Sequence, residues 1–135
     1  MLTPQAAQDR AAALIDFARA AGADGADAVY SGSSSESVAV RLGQLEDVER
    51  SESEHLDLRV FVGSRSASIG SSDLSDAALK ELAARAVDMA RAAPEDRFAG
   101  LADPALLFAG PFPDLDAADP RELSPAELRE RALAV

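Results

Sequence analysis

His55-Leu56-Asp57-Leu58-Arg59-Val60-Phe61-Val62 is the stretch whose reading decides the fold. Leu56, Leu58, Val60 and Val62 alternate with His55, Asp57, Arg59 and Phe61, a period of two that fits a strand with one aliphatic and one wet face. Gly63-Ser64 turns this strand into residues 65–71, where Ala67 and Ile69 alternate with serines and Gly70. Upstream, Val38, Val40 and Leu42 alternate with Ser37, Ala39 and Arg41, and a tight turn predicted at Gly43-Gln44 leads into a return over residues 45–50. Ala26, Ala28 and Tyr30 open an earlier strand, and the polar residues 51–54 read as a corner. The expectation is a mostly antiparallel sheet of four to five strands.

Helices flank this sheet. Thr3-Pro4 is an N-cap followed by proline at the first helical position, Ala7, Ala11, Leu14, Ile15 and Ala18 recur at helical spacing, and Gly22 is the natural stop. Ser75 caps a second helix with Asp76 in its first turn, where the helix dipole favours a carboxylate. Leu79, Leu82, Ala83, Ala86, Val87 and Ala90 give that helix one apolar stripe able to cover the sheet. Residues 94–121 contain five prolines and read as a linker. Ser124-Pro125-Ala126-Glu127 then forms a capping box, and Leu128, Ala132 and Val135 begin a stripe that the sequence does not continue. The fold class expected is α+β: an amino-terminal domain at 1–93, a linker at 94–123, and at 124–135 the first helix of a second domain, as in a fragment of a longer protein.

Composition narrows the function. The 135 residues carry 24 acidic and 13 basic side chains, a net charge of −11, which opposes binding to nucleic acid or to anionic membranes. The absence of cysteine removes disulfides and thiolate chemistry, and no apolar run approaches the roughly 20 residues of a membrane span. With no leader-like start, the expected compartment is the cytoplasm.

The candidate chemical groups have plain structural readings. His55, the only histidine, falls on the wet strand face beside Glu54 and Asp57 and belongs to no zinc motif. Glu46, Asp47, Glu49, Glu52, Glu54 and Asp57 are explained as a solvated sheet face, with Arg41, Arg50 and Arg59 as cross-strand partners, rather than as a hydrolytic acid pair. Gly70-Ser71-Ser72-Asp73-Leu74-Ser75 could turn backbone N–H groups toward an anion, but helix capping accounts for its composition. Composition and spacing alone therefore give an α+β domain with no catalytic residue.

The stretches Leu45-Glu46-Asp47-Val48-Glu49-Arg50-Ser51, Leu58-Arg59-Val60-Phe61-Val62-Gly63 and Ser71-Ser72-Asp73-Leu74-Ser75, in this order and spacing, resemble the amino-terminal domain of the TldD/PmbA family, the modulators of DNA gyrase. The run from Ala93 to Asp103 and the Pro113-Asp114-Leu115-Asp116 segment look more like the PmbA (TldE) branch. The positions that match are Gly43, Glu49, Arg50, Gly63, Ser72, Asp73, Leu74, Ser75 and Gly100, all expected to be structural; Asp57 stands where the family usually has glycine. No substrate-binding residue is assigned.

The resemblance implies a subunit of a TldD/TldE-type zinc metallopeptidase that cleaves unfolded peptides, as in microcin precursor maturation and antitoxin turnover. In that arrangement the TldE-like subunit is non-catalytic. This chain would hold no cofactor, zinc would belong to a TldD-like partner, and the chain would pair with that subunit or with itself. The alternative is a free-standing acidic module that binds a peptide along an exposed strand.

Overall fold

The computed structural model describes every residue except Phe112, Ala118, Pro120 and Val135. Helix α1 (Pro4–Ala20) is followed by strands β1 (Gly25–Arg41), β2 (Gln44–Val62) and β3 (Arg65–Ser71), helix α2 (Asp76–Ala92), a short 3-10 turn at Pro104–Leu106 and helix α3 (Pro125–Leu133). The chain divides into two compact units, one of Met1–Ser33 with Ser53–Leu106 and one of Ser34–Glu52 with Leu107–Val135.

The α+β class stands, with three strands in the order β1-β2-β3 in place of four to five. Residues 51–54, read as a corner, continue β2 as extended chain, and residues 31–37 join the two strands expected on either side of them into one continuous β1. Serine and glutamate interrupt a strand only where a face must be buried, and here both faces are open to solvent. The connection between β1 and β2 is also one residue earlier than predicted. Leu42 and Gly43 have φ of 50° and 74°, the paired left-handed conformations of a type I′ hairpin turn. A leucine in that region is strained by about 1–2 kcal/mol because its Cβ crowds the following carbonyl.

In the first unit, alternation along β2 works as the sequence implies. Leu56, Leu58 and Val60 are buried together with Leu79, Leu82, Ala83, Ala86 and Ala90 of α2 and Leu14 and Ala18 of α1. The antiparallel register of β2 and β3 pairs Leu58 with Ile69 and Val60 with Ala67, so both strands turn apolar residues to the helices. Helix ends obey local chemistry. Thr3 Oγ1 accepts from the Ala6 N–H (3.3 Å) and Ser75 Oγ from the Ala78 N–H (3.4 Å). Gly22, at φ 104°, closes α1: its N–H donates to Arg19 O, and the Ala23 N–H donates to Ala18 O, the crossed pair of a Schellman motif.

The opposite sheet face is not uniformly wet. Phe61, assigned there by alternation, is only 6% exposed. The chain after α2 returns along this side, where the Asp96 N–H donates to Ser64 O (2.7 Å) and Arg65 bonds the Arg91 carbonyl and Glu95. Leu101 and Phe61 both adjoin Gly25, at 3.4 and 3.7 Å from where its Cβ would stand. Residues 94–106 thus belong to the first unit.

In the second unit, α3 opens with the complete capping box anticipated at Ser124 and Glu127. Its stripe includes half-buried Leu128 and Ala132, while Val135 lies outside the described residues.

Candidate functional site

The ionisable side chains of the wet strand face meet neighbours in pairs. His55 Nε2 lies 3.2 Å from Asp57 Oδ1, two positions along β2. The pair rests over Gly70, the residue paired with Asp57 in the β2–β3 register, and a Cβ there would stand 2.3 Å from His55 Nε2. Glycine at 70 therefore provides the floor on which both side chains lie. Arg59 forks onto the Asp27 carboxylate of β1, which raises the guanidinium pKa, and its charge stands 5.2 Å above the Phe61 ring. Arg41 reaches Glu46 across the hairpin (3.3 Å), whereas Arg50 pairs with Glu52 on its own strand. The acids expected on this face are thus spread along one ribbon, with no two brought together as a reactive couple.

Glu54 joins three separate parts of the chain. It accepts from the Tyr30 hydroxyl and from the Leu2 N–H (2.7 Å), with the amino terminus 3.8 Å away. These donors, the Tyr30 hydroxyl first, hold its pKa below the usual carboxylate range, and the bond to Glu54 raises that of Tyr30. A carboxylate depressed on folding stabilises fully above the ordinary carboxylate range and ceases to do so as pH falls through the lowered value. Tyr30→Phe is expected to move the Glu54 midpoint upward in a carboxyl NMR titration; an unmoved midpoint contradicts the assignment. Sequence reading missed this link because it joins residues 24 positions apart.

The matched family positions fall at turns, caps and open surface. Gly43 forms the hairpin turn; Gly63, at φ 59°, donates its N–H to Asp24 Oδ2 (2.7 Å). Asp73 accepts from the Ser75 N–H (2.9 Å), which lowers the Asp73 pKa, and Ser71 Oγ accepts from the Asp73 N–H (3.0 Å). This chain of side chains satisfies the backbone ahead of α2, the arrangement expected of capping. Leu74 packs on the core and Ser72 is exposed, as are Glu49 and Arg50 on β2 and Gly100 after α2.

A broad groove in the second unit is lined by Glu36, Arg50, Arg121, Glu122, Ser124 and Glu127, among others. Arg50, Arg121 and Glu127 are engaged locally. Arg121 pairs with Asp119, and both the Ser124 N–H and Oγ donate to Glu127 at 2.7 Å, lowering the Glu127 pKa. A zinc ion needs three or four converging His, Cys or carboxylate donors. Among the described residues no such group of three exists, so the donor set present does not fit zinc.

These features define an α+β domain with an all-apolar core and with ion pairs at His55–Asp57 and Arg59–Asp27 on its sheet surface. Residues 26–90 match domain 1 of the PmbA/TldA metallopeptidases. The chain is 39% identical over 109 residues to the metalloprotease PmbA of Escherichia coli O157:H7, covering 81% of this chain and 24% of that protein. A crystal structure of a candidate modulator of DNA gyrase from Bacteroides thetaiotaomicron superposes with a TM-score of 0.75 at 25% identity, covering 84% of this chain and 25% of that one. The chain belongs to the TldD/PmbA family, of which it carries the amino-terminal domain. It spans about a quarter of the length of these relatives. No helix among the described residues is long and apolar enough to cross a membrane.

Proposed function

We propose that this is the amino-terminal domain of a cytoplasmic, non-catalytic TldE/PmbA-like subunit, which acts in proteolysis of unfolded peptides by assembling with a TldD-like zinc metallopeptidase chain. The observation that carries the reading is the 39% identity to a metalloprotease over 109 residues. It is supported by a strand surface on which His55, Arg59 and Glu54 each meet a neighbouring side chain, Asp57, Asp27 and Tyr30. In this reading the zinc and its ligands belong to the partner, and residues 1–93 contribute no bond-breaking group.

The test uses the full-length protein with and without its TldD-like partner, measuring chelator-sensitive hydrolysis of an unstructured peptide. Hydrolysis by the mixture alone is expected. Zinc-dependent hydrolysis by the partner-free protein would overturn the non-catalytic role, and failure to form a complex would overturn the pairing. The second reading, an acidic module that adds a peptide strand, draws on the position of β1 at the sheet edge. It predicts peptide binding by this chain alone.

A further inference from the structure

Strand β3 stands at one edge of the sheet, with β2 as its single neighbour. The register decides which of its backbone groups point away from β2. Val62 pairs with Arg65 across the two-residue turn Gly63-Ser64, and the pair flanking such a turn exchanges both of its backbone bonds. Alternation then turns the N–H and C=O of Ala67 and Ile69 toward β2, and those of Ser66, Ser68 and Gly70 toward the open side. Ser68 and Gly70 are exposed, and side chains this small leave room for another strand. The usual guards of an edge are missing. β3 has no proline, and its one charged residue, Arg65, is turned onto the Arg91 carbonyl and Glu95.

Charge selects the occupant. Residues 65–92, which comprise β3 and the helix α2 packed on it, hold four acidic and four basic side chains, so the net charge of −11 resides wholly in the rest of the chain. Residues 25–62, by contrast, hold eight acids against three arginines. The acids closest to the β3 edge are met within the chain, Asp57 by His55 over Gly70 and Asp73 by the Ser75 N–H. A basic partner is drawn to the acidic hairpin and gains nothing at a neutral edge, whereas two like-charged copies meet least repulsion there. The outward groups are also complementary to themselves. Antiparallel pairing about a two-fold axis at Ser68 sets Ser68 against its own counterpart and Ser66 against Gly70, forming about six backbone hydrogen bonds.

We infer that β3 pairs antiparallel with β3 of a second copy of this chain, about a two-fold axis at Ser68, so that one sheet runs through both copies. This self-pairing is independent of the functional reading above.

The test uses the full-length protein. Under oxidising conditions Ser68→Cys should give a dimer whose disulfide peptide mapping locates at position 68 of both copies, because directly opposed residues in such a pair have Cα atoms about 5.5 Å apart, within disulfide reach. Ser66→Cys should give no such link, since its counterpart lies four residues along the ladder, about 13 Å away. Ser68→Pro removes an N–H that β2 does not use and sets its ring where the second strand would lie. It should weaken dimerisation by at least about tenfold in sedimentation, with unchanged circular dichroism. Wild-type dimerisation should strengthen with added salt, which screens the repulsion between acidic copies. A monomer at all concentrations, no link at position 68, an equal link at position 66, a link from 68 to a different polypeptide, undiminished association of folded Ser68→Pro, or weakening by salt would each overturn the pairing. If Ser68→Pro fails to fold, the comparison of positions 66 and 68 decides.

Discussion

Leu58→Ala is expected to lower the unfolding free energy by about 2–5 kcal/mol, read as a fall in the urea midpoint with little change in slope. Leu58 is 1% exposed and lies in the part of β2 that pairs with β3, opposite Ile69 and enclosed by residues of both α1 and α2. Truncation removes apolar contacts and leaves a cavity that two helices and a sheet can only partly close. Against a typical total of about 5–15 kcal/mol, such a loss is severe. The control is Val29→Ala: Val29 is exposed on β1, and its truncation should alter stability by no more than about 0.5 kcal/mol. Equal effects of the two substitutions would mean that the aliphatic face of β2 is not the centre of the core.

Ala86→Leu should destabilise by about 1–3 kcal/mol through the opposite fault, overpacking. Ala86 is fully buried, in a cluster whose α1 and α2 contributions include Ala18, Ala83 and Ala90. Small residues allow α1 and α2 to approach each other and the sheet, so three extra carbon atoms must displace backbone or force neighbouring side chains from their rotamers. A lowered Tm for Ala86→Leu, set beside an unchanged Tm for the same substitution at exposed Ala84, is the expected pattern. Full tolerance at position 86 would show that the helix layer has slack.

Both effects concern a core that is purely apolar: among the described residues no polar or charged side chain is buried. That property bears on function. Chemistry at neutral pH needs groups whose environments push their pKa values apart, and burial is the strongest means of doing so. Here the lowered carboxylates Glu54, Asp73, Asp119 and Glu127 owe their values to hydrogen bonds that stabilise the charged form at the surface. Such shifts serve the fold.

What the sequence determined by itself was everything governed by neighbours within a few positions. The caps at Thr3, Ser75 and Ser124, the stop at Gly22 and the inward face of Leu56, Leu58 and Val60 follow from hydrogen-bond reach and from periods of 2 and 3.6 residues. Tertiary structure decided the rest. Whether residues 31–37 and 51–54 break a strand depends on whether a face is buried, and the burial of Phe61 depends on chain returning from beyond α2. The pairings of Tyr30 with Glu54 and of Asp27 with Arg59 join side chains from different strands. These contacts are fixed only when distant segments meet, because a polar side chain carries no local signal of which partner, or water, will satisfy it.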